Sequence, residues 1–296
     1  MKVAITGATG FIGRALVTRL DALGHECVVL TRDPERAAQV GLPAGIRIAS
    51  VDQLPVVEAV IHLAGENIAG LWTPLKRHRI YASRVAGTRK LVAAIRAASK
   101  PPQILLSASA VGIYGHRPGE QLDETAMPDP RRRFRRRVCV GWEREAVGAR
   151  EAGCRVVTLR FGNVMAQDGG FLRGLLPFYR TCGGFVFGNP SAAFSWISRE
   201  DAVGLITFAL ECPHLNGPIN VVAPHATTQR TLARSLAPRV GRCVRGCLPT
   251  WLLRRLLGEF SCTLLDEQDI VPAKALAAGF RFNHPAWRSC LDWLFA

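Results

Sequence analysis

Three glycines at three-residue spacing stand out in Thr6-Gly7-Ala8-Thr9-Gly10-Phe11-Ile12-Gly13, directly after the short apolar run Lys2 to Thr6. The pattern suits a phosphate-binding turn. The first glycine permits the tight bend, the second lets the backbone approach a pyrophosphate, and the third lets helix and strand pack closely. The next apolar run, Glu26 to Leu30, ends in Thr31-Arg32. A carboxylate at that place holds a ribose 2′-hydroxyl. A guanidinium suits a 2′-phosphate, so Arg32 favours NADP, with NAD the alternative. Asp33 precedes Pro34 and reads as the opening of the next turn.

The elements that must position these residues follow from periodicity. A strand over 2–6, a helix over Phe11–Ala22 closed by Gly24, and a strand over Glu26–Leu30 make a βαβ unit and predict a parallel sheet. Further strands are expected around Ile46–Ile48 and over Ala59–Leu63, Gln103–Ser107 and Arg155–Arg160. Helices are expected over Pro74–Ala98 and Phe134–Glu151. This alternation predicts an α/β fold: a doubly wound parallel sheet over residues 1 to about 165, with a smaller lobe over the carboxyl ends of its strands. The last third adds helices at Glu200–Leu210 and Ala286–Phe295, the latter with Trp287, Cys290, Leu291 and Leu294 as a buried stripe.

The chain has 296 residues, 48% hydrophobic and 21% charged, which excludes disorder as the main state. Its longest apolar stretch, Ala202 to Leu210, is too short to span a membrane. No secretory signal opens the chain, so the expected location is cytoplasmic. Nine cysteines without a Cys-x-x-Cys pair predict neither disulfides nor a structural metal. The net charge is +15, and six arginines crowd into Arg131-Arg132-Arg133-Phe134-Arg135-Arg136-Arg137. The run reads as a solvated loop and helix start, with acidic partners as the alternative.

TGATGFIG resembles the extended short-chain dehydrogenase/reductase superfamily, the sugar-nucleotide epimerases and dehydratases. His62-Leu63-Ala64-Gly65, Ser107-Ala108-Ser109 with Tyr114-Gly115, and Trp196-Ile197-Ser198-Arg199-Glu200-Asp201 are similar to its later motifs, in the same order. Ala64-Gly65-Glu66-Asn67-Ile68, Trp72-Thr73, Ser83-Arg84, Trp142-Glu143, Asp168-Gly169-Gly170 and the segment Pro272–Phe282 resemble a narrower, atypical branch, the YfcH-like or SDR39U1-like epimerases with a DUF1731-type C-terminal domain. The resemblance implies a Rossmann domain over 1–225 and a C-terminal domain over 226–296 contributing to the substrate lobe. It implies cofactor contacts at Gly7, Thr9, Gly10, Phe11, Ile12, Gly13, Thr31, Arg32, Leu63, Ala64, Gly65, Arg84 and Val164, and catalytic candidates at Ser109, Tyr114 and Glu66. Members have been linked to cell or plastid division.

One departure bears on mechanism. Dehydrogenases of this superfamily use Tyr-x-x-x-Lys, whose phenol is the acid/base and whose ammonium lowers its pKa. Residues four on from Tyr81, Tyr114 and Tyr179 are Val85, Pro118 and Gly183, so the pair is absent. Its expected places, counted back from Trp142-Glu143, are Arg135 and Cys139. Three readings follow: an NADP-dependent oxidoreductase or isomerase on a small, sugar-like substrate; a cofactor-sensing regulatory or scaffold protein; and a nucleic-acid binder. The last ranks lowest, because no recognition helix, aromatic stacking motif or zinc module accompanies the arginine run. The expected state is a monomer or homodimer without membrane attachment.

Overall fold

The strand Lys2–Thr6 (β1) buries every side chain after Lys2, the mark of a strand covered on both faces. Alternate residues serve opposite cores: Val3 and Ile5 face one layer and Ala4 the other. In the computed structural model, which describes residues 1–43, 46–131 and 133–296, β1 lies inside a seven-stranded sheet. Its partners are Glu26–Leu30 (β2), Arg47–Ala49 (β3), Ala59–His62 (β4), Ile104–Ala110 (β5), Arg155–Phe161 (β6) and Gly217–Val221 (β7). The order is β7-β6-β5-β4-β1-β2-β3, and all neighbours are parallel.

One face is covered by the helices Phe11–Ala22 (α1) and Arg199–Glu211 (α5), through Leu16, Leu20, Leu205 and Ile206. The other is covered by Gly87–Ala97 (α3) and Phe134–Val147 (α4), through Leu91, Ile95 and Ala146. The helix Pro74–Tyr81 (α2) precedes α3, with Pro74 at its first position and Thr73 capping it through a 3.2 Å bond from the Lys76 N–H. Strand order reverses between β1 and β4, so the turns leaving these two strands flank the crevice where such sheets take ligands.

The expected sheet, its parallel sense and the span of α1 are all found. Three details differ. The sheet does not end near residue 165, because β7 returns from the lobe to pair with β6. The expected helix Pro74–Ala98 is interrupted by a π-turn at Ala82–Ala86. The helix expected to reach Glu151 ends at Val147 and tightens into a 3₁₀ turn over Gly148–Ala152.

The lobe has its own core, in which Tyr179, Trp196, Leu232, Trp287 and Leu291 meet. Trp196 and Trp287 pack edge to face, 5.1 Å apart. The predicted stripe Trp287, Cys290, Leu291 and Leu294 is buried here. Buried Asp201 in the first turn of α5 fastens the C-terminal segment by accepting the Asn283 and His284 N–H groups at 2.7 and 2.9 Å. All nine cysteines are free thiols.

Two glycines in the first turn are sterically required. Gly7 has φ +73°, and a Cβ there would lie 2.7 Å from the Ala64 nitrogen. A Cβ on Gly13 would overlap the Gly7 carbonyl oxygen and come within 2.7 Å of the Ala8 Cα. Both obstacles are backbone, which cannot rotate away. Gly13→Ala is therefore expected to cost about 1–3 kcal/mol despite alanine's better helix propensity. A urea melt checks this; an unchanged or higher midpoint would contradict the close-packing argument.

Candidate cofactor and active site

α1 begins at Gly10, which offers no side-chain acceptor to the N–H groups of the first helical turn. Those donors, together with the positive end of the helix, form a cradle suited to a pyrophosphate. Thr9, Phe11 and Ile12 are half-buried around it, and buried Gly13 lies behind. The Phe11 ring lies against Gly169 and Gly170 and carries the Arg199 guanidinium 5.0 Å above its centroid. Arg199 is in turn held by Asp168 at 2.7 Å, which accounts for the Asp168-Gly169-Gly170 signature. Val164, 8% exposed, pairs with Ile197 on the lobe side.

At the end of β2, the Thr31 N–H bonds to the Ala49 carbonyl, and the Thr31 hydroxyl accepts the Asp33 N–H at 3.1 Å. This small turn leaves Arg32 exposed.

A buried hydrogen-bond chain connects the turn after β1 with the loop after β4. Thr6 Oγ1 lies 2.6 Å from His62 Nδ1 and accepts the Ala64 N–H at 3.3 Å. His62 Nε2 lies 3.0 Å from Thr88 Oγ1 on α3. Burial lowers the His62 pKa to about 4, so the imidazole is neutral at physiological pH.

The β4 loop is clamped at Glu66. Its N–H donates to Ser83 Oγ at 2.9 Å, its carbonyl accepts from Arg84 Nη1 at 3.0 Å, and its carboxylate pairs with Lys76 at 2.7 Å. Ser83 and Arg84 both sit in the π-turn, a feature frequent at functional sites. Arg84 stacks over Trp142 at 5.1 Å and lies against Gly65. Burial lowers its pKa, opposed by the nearby Glu66 charge. The bond from Lys76 holds the Glu66 carboxyl below the usual carboxylate range. Glu66 is thus suited to accept a hydrogen bond, not to donate one.

Ser109, 2% exposed near the carboxyl end of β5, donates its hydroxyl to Glu143 Oε1 at 2.7 Å. Both oxygens of Glu143 are held by Arg160 on β6, at 2.8 and 2.9 Å. Arg160 Nη1 donates to the Tyr114 hydroxyl at 2.8 Å, and that hydroxyl donates to Asn220 Oδ1 at 2.7 Å. The Asn220 N–H reaches Glu124, whose other oxygen accepts the Lys274 N–H.

This network corrects the expectation for Tyr114. Its side chain is fully buried and its hydroxyl is used twice inside the protein. Burial also raises its pKa. It braces β5 to β6 and β7 and is not available as a displaced acid.

The face of α4 that would carry Tyr-x-x-x-Lys presents Arg135, Cys139 and Glu143 at successive turns. Arg135 is ion-paired with Asp266. Cys139 is buried, its pKa raised to about 11 by burial and by the Glu143 charge, so it is a neutral thiol. Each charged group on this face is therefore neutralised.

Sequence reasoning missed Lys76 and Arg160. A lone arginine closing the apolar run Val156 to Leu159 is a usable signal, because such a charge must find a buried partner. Nothing comparable marks Lys76. No group of three or more metal-binding side chains occurs among the described residues, and no helix there is long and apolar enough to cross a membrane.

Comparison with known proteins agrees with this geometry. Residues 3–222 match the NAD dependent epimerase/dehydratase family, and residues 248–294 match a domain of unknown function, DUF1731. The chain is 36% identical to the Arabidopsis thaliana epimerase family protein SDR39U1 homolog, chloroplastic, over 96% of this chain and 84% of that protein. It is 31% identical to the epimerase family protein YfhF of Bacillus subtilis, over 100% of this chain and 98% of that one. The crystal structure of the human epimerase family protein SDR39U1 (isoform 2) with NADPH superposes with a TM-score of 0.87 at 29% identity, covering 99% of each chain. The superfamily and the atypical branch expected from the motifs are both confirmed: the chain belongs to the NAD dependent epimerase/dehydratase family, in its SDR39U1-like branch with a C-terminal DUF1731 domain.

Proposed function

We propose that the protein binds NADPH across the β1–β4 crevice and acts as an oxidoreductase or isomerase on a small, sugar-like substrate in the cytoplasm. The observation that carries the cofactor reading is the uncapped first turn of α1 beside exposed Arg32. The similar human protein crystallised with NADPH supports it. Gly7, Gly10 and Gly13 would cradle the pyrophosphate, Thr31 and Arg32 the 2′-phosphate, and Leu63, Ala64, Gly65, Arg84 and Val164 the remainder. The cofactor, when bound, supplies hydride-transfer chemistry; the chain supplies position and charge.

Ser109 is the group best placed to touch the substrate. Because it donates to Glu143, it presents lone pairs and would accept a hydrogen bond from a substrate hydroxyl. Glu143, fixed by Arg160, acts through Ser109 as a positioning residue. Glu66 is a candidate acceptor held in place by Lys76.

A second reading has specific support: a protein that senses NADPH without turnover, including a role linked to cell division. The side chains standing where Tyr and Lys would be are an ion-paired arginine and a neutral thiol. General acid/base help is typically worth about 10²–10⁴-fold, so a site without it turns over slowly at best.

Two experiments test these readings. Arg32→Ala should weaken NADPH binding by about 10- to 150-fold, from about 1.5–3 kcal/mol for a charge-assisted bond, and leave NADH binding unchanged. Fluorescence titration of both cofactors checks this; an unaltered preference removes Arg32 as the selector.

For catalysis, Ser109→Ala and Glu66→Gln are assayed against a panel of carbonyl and hydroxyl substrates. A fall of about 10²-fold or more in kcat with NADPH affinity preserved identifies the working group. Tyr114→Phe should instead lower stability by about 1–3 kcal/mol, because it leaves Asn220 and Arg160 short of a buried partner. Tight NADPH binding with no turnover of any substrate would favour the sensing role.

A further inference from the structure

The arginine run and a second basic run, Lys76-Arg77-His78-Arg79, lie more than fifty residues apart in sequence, yet the fold brings them together. α2 and the first turn of α4 border an open groove lined by Trp72, Pro74, Arg77, His78, Tyr81 and Arg137. Arg132 lies outside the described residues.

Beside Phe134 of the arginine run, α2 and the segment before it supply the further rings of Tyr81 and Trp72. The Arg137 guanidinium lies over the rings of Tyr81 and Phe134, at 5.5 and 5.7 Å. Arg77 lies over Phe134 at 4.6 Å. Trp72 is fixed by a 2.8 Å bond from its indole N–H to the Ile68 carbonyl and by an edge contact with Phe134 at 5.5 Å. The groove therefore sets guanidinium groups beside the half-buried rings of Trp72 and Tyr81, over buried Phe134.

Neutralisation of the two runs is incomplete. Lys76 pairs with Glu66, Arg77 with Glu259, Arg131 with Asp129 and Arg135 with Asp266. Among the described residues, no carboxylate lies within ion-pair distance of Arg79, Arg133 or Arg137. Two of these, Arg133 and Arg137, are exposed and one helical turn apart, Arg137 lining the groove.

We infer that this groove binds single-stranded nucleic acid. The cations are spread along two elements, so an extended polyanion meets more of them than a single phosphate can. The Trp72 and Tyr81 rings lining the groove, with guanidinium groups beside them, suit unpaired bases, which a lipid headgroup or an acidic peptide lacks. Arg137 lines the groove and is exposed, whereas Cys139 on the same helix is buried. None of the groove's lining residues is among those assigned above to cofactor or substrate.

The test is fluorescence anisotropy of a labelled uridine oligomer of about 15 nucleotides, with the full chain at about 50 mM salt. The expected result is saturable binding that weakens with salt and falls about tenfold in Arg137→Glu and further in Arg133→Glu/Arg137→Glu. NADPH titration of the same variants should be unchanged, showing that they are folded and that the two sites are separate. Four outcomes would overturn the inference: no binding at that salt; binding indifferent to both variants; equal competition by polyphosphate, which carries charge without bases; or charge-reversal-sensitive binding to phosphatidylserine vesicles in place of RNA. A change in oligomeric state on Arg137→Glu would likewise overturn it, by assigning the groove to a second copy of the chain.

Discussion

The buried ion pair between Glu143 and Arg160 is the constraint on which the rest of the site depends. The two side chains are 14% and 7% exposed and meet through two bonds. Removing either partner would leave an uncompensated charge, a loss on the order of 3–5 kcal/mol. Around this pair, Ser109, Tyr114 and Asn220 are fixed one after another. Arg160 is held charged by the Glu143 carboxylate beside it, against the cost of its burial. The positions that would carry a mobile proton carry an ion-paired arginine and a neutral thiol instead.

The cofactor side follows a different physical rule. Little of it depends on side-chain chemistry. Gly7 allows the backbone of the first turn to touch the β4 loop, Gly13 lets α1 close onto that turn, and neutral His62 ties the two strands from behind. The π-turn places Ser83 and Arg84 on the backbone of Glu66. The result is a crevice whose two walls are joined to each other through α3. Its geometry is set before any ligand arrives, so little ordering entropy remains to be lost on binding.

The sheet and glycine turn could be read from sequence because local patterns determine them. The runs Lys2–Thr6, Glu26–Leu30 and Ala59–His62 are apolar on both faces, and Gly7, Gly10 and Gly13 occur at a spacing with few other uses. The π-turn escaped because a one-residue widening leaves the apolar repeat of Ile80, Val85, Leu91 and Ile95 nearly intact. β7 was missed because Gly217-Pro218-Ile219-Asn220-Val221 is short and opens with two strand-breaking residues. Tyr114 was misplaced because a Tyr-Gly motif reveals nothing about its hydroxyl, and its partners Asn220 and Arg160 are 106 and 46 residues away. The arginine run is a loop and helix start as expected, with Arg131, Arg133 and Arg137 exposed; its neighbours Trp72 and Tyr81 come from another part of the chain.

The return of β7 to the edge of the sheet also shapes how the molecule is made. During synthesis the first six strands leave the ribosome in sequence and can begin to pair, but β6 keeps an open edge until residue 221 has emerged. Over that interval Arg160 has Glu143 within reach, while the Tyr114 hydroxyl still lacks its acceptor on Asn220. An unpaired apolar strand edge is a template for association with other nascent chains. The lobe segment threaded between β6 and β7 thus sets how long the nascent sheet remains exposed. Lengthening it would prolong the period of risk without altering a single contact in the finished protein.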